Sequence, residues 1–144
     1  MKLHIVTVGE PKLEYARLGW NEYLRRLSRL HHVRTTHVAD KWARDANRIL
    51  AAAGKAYRVA LVIDGSQYSS ESLASFLDKQ ALGGRELCFI IGGPDGLPPA
   101  VIEAADTTLG LSKLTFPHDL AMLILAETLY RSSSINAQLP YHRA

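Results

Sequence analysis

The 144-residue chain reads as an α/β protein, a mostly parallel sheet flanked by helices. Three observations predict this. Short runs rich in β-formers, such as Val59-Ala60-Leu61-Val62-Ile63 and Leu87-Cys88-Phe89-Ile90-Ile91, are apolar along their whole length, as buried strands are. They alternate with longer segments whose apolar residues follow helical spacing, the order expected of a parallel sheet with helical crossovers. No repeat, low-complexity tract or linker interrupts the pattern, so a single domain over 1–144 is expected.

In chain order, Lys2–Val8 reads as the first strand, broken by Gly9-Glu10-Pro11. Ala16, Trp20, Tyr23, Leu24, Leu27 and Leu30 then mark a helix. Its other face carries Arg17, Glu22, Arg25, Arg26 and Arg29; a solvated face is the simpler reading, and an RNA-facing role for Arg25, Arg26 and Arg29 the sharper one. His32–Val38 is the second strand. Lys41–Ala53 reads as a helix closed by Gly54, and Arg58–Asp64 as a strand ended by Gly65. Ser70, with Ser69 beside it, is the expected N-cap of a helix through Leu73, Phe76, Leu77 and Leu82 to Gly83-Gly84. After the strand Leu87–Ile91, Pro98 or Pro99 suits the first turn of a helix running to about Ala105. Asp106–Leu111 reads as the last strand. The final helix, His118 to about Ser132, is apolar almost all round between Leu120 and Leu129. One sheet covers only one side of such a helix, so a partner subunit is expected on the remainder, most simply as a homodimer.

The chain is 47% hydrophobic and 22% charged, which fits a folded core and not a disordered chain. A net charge of +3 and a pI near 9.1 lean mildly toward a polyanionic partner and suit an ordinary surface equally well. Cys88 is the only cysteine, so no disulfide can form within the chain; inside an apolar strand it reads as a small hydrophobe, not a nucleophile. The first apolar run ends at Gly9, too soon for a signal peptide, and no run approaches the roughly 18 apolar residues of a membrane span. A cytoplasmic protein is expected. His31, His32 and His37 match no familiar ligand spacing and have no cysteine or carboxylate cluster to support them, so no metal is expected.

The stretch richest in chemistry is Leu87–His118. Gly92-Gly93-Pro94-Asp95-Gly96-Leu97 leaves the end of a buried strand, where ligands of open α/β sheets bind. It matches neither GxGxxG nor GxxxxGK[ST], and by itself a tight turn without a ligand explains it as well. Loops after Leu61–Asp64, after Phe89–Ile91 and after Leu111 converge on one sheet edge. They bring glycines and small polar residues but no lysine-phosphate cradle, so a nucleoside-like ligand without phosphates fits better than ATP. A hydrolase built on Ser66 or Ser112 with a histidine is remote, because no GxSxG elbow is present.

Taken together, Ile90-Ile91-Gly92-Gly93-Pro94-Asp95-Gly96-Leu97, Leu111-Ser112-Lys113-Leu114-Thr115-Phe116-Pro117-His118, Leu129-Tyr130-Arg131 and Pro140-Tyr141-His142-Arg143 closely resemble the RlmH family. These are small ribosomal RNA methyltransferases of the SPOUT class. Met1-Lys2-Leu3, Val6-Thr7-Val8-Gly9 and Glu22-Tyr23-Leu24-Arg25-Arg26 agree, so the resemblance covers nearly the whole chain; the segment from about Asp40 to Ile49 is shorter than the family's usual one. The resemblance implies a SPOUT-type fold with a C-terminal trefoil knot. It implies S-adenosyl-L-methionine as cofactor, bound by Leu61, Gly92, Leu111, Ser112, Lys113, Leu114, Thr115 and Phe116. It further implies methyl transfer to N3 of a pseudouridine in large-subunit rRNA, on the assembled ribosome.

An imide nitrogen must lose a proton to accept a methyl group. His142 is the candidate proton acceptor, Arg143 the candidate to stabilise the anion, and Tyr141 the candidate to stack on the base. Without the resemblance, a frayed terminus would be the simpler reading of these residues. His118 fits lining of the cofactor site and a helix-terminal role equally well, and Glu127 reads as an interface or hydrogen-bonded core residue. A side chain at Gly92 is expected to fill ligand space, so Gly92→Val should abolish cofactor binding and leave the protein folded. The alternative of another class is a non-catalytic ribosomal RNA-binding α/β module.

Overall fold

The structure, a computed structural model, describes residues 1–142. Five parallel strands form one sheet: β1 (Lys2–Val8), β2 (His32–Val38), β3 (Tyr57–Leu61), β4 (Leu87–Ile91) and β5 (Thr107–Leu109), in the order β2-β1-β4-β3-β5. Five helices cross between and after them: α1 (Glu14–Leu27), α2 (Ala46–Ala53), α3 (Ser70–Leu82), α4 (Pro99–Ala104) and α5 (His118–Asn136). Leu3, Ile5, Leu87, Phe89 and Val59 turn to one face, where Trp20 and Leu27 of α1, Leu77 of α3 and Met122, Leu125 and Leu129 of α5 cover them. Val6, Val8, Cys88, Ile90 and Ala60 turn to the other, under Ile49 and Ala53 of α2 and Val101 of α4. This alternation is why the central strand β4 is apolar throughout.

The parallel α/β architecture and the positions of β1, β2 and β4 follow the sequence expectation. Several boundaries do not. The expected helix from Lys41 is a single 3-10 turn, Asp40–Trp42, and α2 begins at Ala46. Asp45 makes that start: its side chain accepts from the Arg48 N–H at 3.1 Å. β3 ends at Leu61 and not at Asp64, and β5 is only three residues long. Both stop because their chains meet: a Cβ on Gly65 would lie 2.7 Å from the Leu109 carbonyl carbon. Ser69, not Ser70, caps α3, accepting from the Ser72 N–H at 3.0 Å.

α5 runs four residues past Ser132, to Asn136. Its own chain covers it more fully than the sequence implied. Gly19 of α1 admits the Leu123 side chain, Ser132 Oγ donates to the Ser70 carbonyl at 3.1 Å, and Asn136 Nδ2 donates to the Ala74 carbonyl at 2.9 Å. What stays open lies beside α1, where Leu13, Tyr15 and Leu18 are 53%, 51% and 60% exposed. The apolar surface left for a partner is therefore an α1–α5 patch and not a whole side of α5.

The three histidines considered for a metal point apart. His31 shares a hydrogen bond with Ser133 Oγ at 2.9 Å, His37 bonds Thr7 Oγ1, and His32 is exposed. The described residues hold no group of three or more His, Cys, Asp or Glu able to take a metal ion. Burial, and then the nearby N-terminal ammonium, hold the His31 pKa down to about 4, and its Nδ1 is buried with no partner among the described residues. The unfolded chain protonates this ring near pH 6.5, the folded chain only near pH 4. Stability should therefore fall as pH drops through that window, by on the order of 2 kcal/mol from this ring. His31→Gln should flatten the urea midpoint between pH 7 and 4; an unchanged pH dependence would refute the assignment.

Candidate functional site

The carboxyl ends of β3, β4 and β5 open into a pocket of about 310 Å³. Its walls come from the three loops singled out in the sequence: Leu61–Ile63, Ile91–Gly96 and the segment from Leu109 to His118, with Ala121 of α5 behind. Of the residues expected to bind cofactor, Leu61, Gly92, Leu111, Ser112, Leu114, Thr115 and Phe116 line it. Lys113 does not; it is exposed between two lining neighbours. Val62, Ile63, Gly93, Pro94, Asp95, Gly96, Leu109, His118 and Ala121 join the lining without having been named as binding residues. For most of them the signal was already in the loop sequence; for Ala121 there was none, because only the approach of α5 to the sheet end brings it in.

One wall, the Gly92–Gly96 loop, is largely glycine backbone, and behind the Leu109 and Leu111 lining two further glycines pack backbone to backbone. A Cβ on Gly92 would sit 2.7 Å from the Gly96 carbonyl carbon and 2.8 Å from the Leu97 nitrogen, and a Cβ on Gly110 would sit 2.8 Å from the Gly65 oxygen. Each loop thus folds back on glycine, held by Gly96 N–H to the Gly93 carbonyl and Gly110 N–H to the Ser66 carbonyl, both at 2.9 Å. The remaining surface is mostly apolar, from Leu61, Ile91, Leu109, Leu111 and Phe116. No lysine or arginine lines the pocket; Asp95 and His118 are its titratable residues. Such a site matches a nucleoside-sized ligand held by backbone groups and apolar contact, and gives phosphates no counter-charge.

The first turn of α5 closes the pocket and is stapled from both sides of the β1–α1 loop. His118 Nε2 donates to the Val8 carbonyl at 3.1 Å. Because a carbonyl only accepts, this bond places the proton on Nε2, and in the neutral ring leaves Nδ1 as an acceptor. His118 therefore both lines the pocket and anchors the helix. Asp119, 8% exposed, accepts from the backbone N–H groups of Lys12 and Leu13 at 2.7 and 2.6 Å. Leu13, at the N-cap of α1, offers no side-chain cap of its own; the carboxylate arrives from 106 residues away in sequence. Sequence reading missed it, and the available signal was an acidic residue in the first turn of an otherwise apolar helix. Asp119→Ala should leave the Lys12 and Leu13 N–H groups without their acceptor, lower stability by about 1–2 kcal/mol and weaken ligand binding by loosening the pocket floor. Urea unfolding and calorimetry check this; a stability change below about 0.5 kcal/mol would refute the staple.

The tail is folded onto its own chain. Tyr141 donates to Glu127 Oε1 at 3.1 Å and accepts from the Tyr23 hydroxyl at 2.9 Å. Its ring meets Tyr130 edge-on at 4.7 Å, with the Arg131 guanidinium 5.0 Å from its centre. Burial first, then the bonds to Tyr23 and Glu127, push its hydroxyl pKa upward. Glu127, which also holds Arg131 at 2.8 Å, is a hydrogen-bonded structural residue. His142 Nδ1 donates to the Leu139 carbonyl at 3.1 Å, and Arg143 lies outside the described residues. Glu127 stands nine residues from His118 along α5, roughly 14 Å at 1.5 Å per residue. Neither Tyr141 nor His142 is among the residues lining the pocket of its own chain.

Comparison with known proteins adds the last element. A family model described as "Predicted SPOUT methyltransferase" matches residues 1–142. Ribosomal RNA large subunit methyltransferase H of Deinococcus deserti is 52% identical over 145 residues, 99% of this chain and 100% of its own length. The protein of that name from Deinococcus radiodurans is also 52% identical, with 99% of each chain covered. The one from Exiguobacterium sibiricum is 38% identical over 159 residues, with 99% of this chain and 100% of its own covered.

Proposed function

From the premise that this chain belongs to the RlmH family of SPOUT methyltransferases, we propose that it methylates large-subunit ribosomal RNA with S-adenosylmethionine, at N3 of a pseudouridine on the assembled ribosome. The observation that carries the reading is the pocket: a nucleoside-sized hollow walled by glycine backbone and apolar side chains, without lysine or arginine.

S-adenosylmethionine supplies a methyl group already activated by its sulfonium. The chain's task is then to bind, orient and manage a proton; holding reactants in line alone can supply about 7–11 kcal/mol. Gly92, Leu111, Ser112 and Leu114–Phe116 bind through backbone groups, while Leu61 and Phe116 exclude water. His142 accepts the N3 proton, Arg143 offsets the negative charge of the anion, and Tyr141 stacks on the base.

The tail cannot do this at its own pocket while Tyr141 is held by Glu127, so the working unit is a homodimer in which the tail serves the neighbouring subunit. The exposed Leu13, Tyr15 and Leu18 patch beside the pocket supports that reading, since the Asp119 staple ties it to the pocket floor. The knot implied by the family fits the contact of the 61–67 and 107–111 segments at Gly65 and Gly110. No helix among the described residues is long and apolar enough to cross a membrane.

Calorimetric titration with S-adenosylmethionine, followed by methyl transfer to ribosomes and to naked rRNA, tests the proposal. Saturable binding and transfer favouring ribosomes are expected. RNA binding without S-adenosylmethionine binding would leave only a non-catalytic RNA-binding module, and equal rates on both substrates would remove the ribosome requirement. Light scattering should show a dimer that Leu18→Glu dissociates; a wild-type monomer at micromolar concentration would overturn the shared site.

A further inference from the structure

We propose that the corner formed by the Asp40–Trp42 turn and the start of α2, with Lys113 across the pocket mouth, seats the RNA that flanks the acceptor nucleotide. This rests on the reading of RNA as substrate and names the surface that holds it.

Charge pairing directs attention here. Of the three cations that sequence offered as RNA-facing, Arg25 and Arg26 both bind Glu22, at 2.7 and 3.1 Å, and those bonds hold its carboxyl below its usual range; Arg29 is exposed, forms no salt bridge with a described residue and lies just past the end of α1, away from the pocket. Arg26 also lies over the rings of Tyr23 and Tyr130. Arg34 is paired with Glu86 and Arg131 with Glu127. Exposed cations without a salt bridge to any described residue also occur elsewhere, among them Arg17, Lys55 and Lys79, but at the pocket end three of them gather round one opening. Lys12 is neutralised by Asp40 and Arg48 by Asp45, but Lys41, Arg44 and Lys113 are exposed and form no salt bridge with any described residue. Against them stands Asp95, the one carboxylate of the pocket lining.

Position makes these cations useful. Arg44 Nη1 donates to the Gly96 carbonyl at 3.3 Å, on the loop that walls the pocket, and Ala43 faces Gly93 of the same loop. Lys113 lies between lining residues Ser112 and Leu114 on the opposite wall. RNA delivering a base to the pocket must pass between them, and its phosphates meet unpaired cations on both sides.

The same corner offers a place for a base. The Arg48 guanidinium lies 3.7 Å from the centre of the Trp42 ring, with the Lys41 ammonium at 5.1 Å. Beside this stack a cleft of about 510 Å³ opens, floored by Val38, Ala39, Ala51 and Ala52, whose small side chains leave the flank free. A flat cationic stack over an apolar floor suits an unpaired base. A duplex offers no such base, so the partner is an RNA loop or bulge.

The test uses the full chain, ribosomes and labelled S-adenosylmethionine across a range of KCl. Lys41→Glu and Lys113→Glu should each raise KM for ribosomes roughly tenfold and reduce the log–log salt slope by about 1, with S-adenosylmethionine affinity unchanged. Trp42→Leu, which keeps apolar packing, should raise KM with little change in salt slope. Arg29→Glu, at the far end of α1, should change neither. Circular dichroism confirms that each variant is folded. If wild-type protein methylates ribosomes and the variants keep its KM and salt slope, this surface is wrong and the function stands. A loss equal or greater in Arg29→Glu would place RNA at the opposite end of the sheet, where β2 begins, and overturn the proposal. A wild-type protein that neither binds S-adenosylmethionine nor methylates ribosomes removes both readings.

Discussion

Removing Tyr141–Ala144 is expected to lower methyl transfer about 10²- to 10⁴-fold while S-adenosylmethionine affinity changes by no more than about threefold. The separation follows from geometry. The pocket is built from three strand-end loops and the first turn of α5, and neither Tyr141 nor His142 lines it in the same chain. Its backbone walls remain when the tail is gone. On the proposed roles, the acceptor side loses its proton acceptor, its fixed charge and its stacking ring together. The frayed terminus that composition alone suggests is not what the structure shows: Tyr141 closes a cluster with Tyr23, Tyr130, Glu127 and Arg131, so truncation also costs roughly 1–3 kcal/mol of stability. Rates must therefore be compared at a temperature where both proteins are folded. His142→Ala, which keeps the Tyr141 cluster, should lose most of the rate and its pH dependence without the stability loss. A truncated protein that is folded and transfers methyl groups at the wild-type rate would reduce the tail to a structural clasp.

How far the sequence could be read depends on the range of the interaction involved. The central strand β4 and the 59–61 run of β3 were legible because they are apolar residue after residue, a local property that both covering layers impose. The cofactor loops were legible because a glycine at a strand end is a local necessity of backbone contact. The start of α2 was misplaced because Asp45, not Asp40, meets an N–H three residues on, and the sequence offers both carboxylates. Asp119 was missed for the opposite reason. It caps a helix 106 residues away, and no periodicity or spacing records a bond of that range. The apolar surface left open on α5 was overestimated because α1 and α3 close on it from the same chain, through Gly19 and Asn136. Lys113 sits in a run expected to bind cofactor, yet it is exposed and absent from the pocket lining.

Gly92 and Gly93 are adjacent, both line the pocket, and should respond oppositely to the same methyl group. A Cβ on Gly92 would meet backbone at 2.7, 2.8 and 2.9 Å, from Gly96 and Leu97, closer than real Cβ contacts come. No flexible side chain is there to move aside, so the whole 92–97 loop must open. A Cβ on Gly93 would meet only the Val8 and Ala43 side chains, at 3.5 and 3.7 Å, ordinary van der Waals contact, and its backbone needs no left-handed φ. Sequence alone attributed the sensitivity of Gly92 to a side chain filling ligand space in an otherwise intact protein. The structure moves the cause: the collision is with the loop itself, and binding is lost because the wall is displaced. Gly92→Ala should therefore already weaken S-adenosylmethionine binding at least about 100-fold, as valine would, and lower stability by roughly 2–4 kcal/mol. Gly93→Ala should stay within about threefold of wild type in affinity and within about 1 kcal/mol in stability. Calorimetry and urea unfolding on the two alanine variants decide between the causes. If Gly92→Ala binds normally and only valine fails, the pocket is sensitive to ligand-side bulk and the loop yields more easily than its backbone contacts imply.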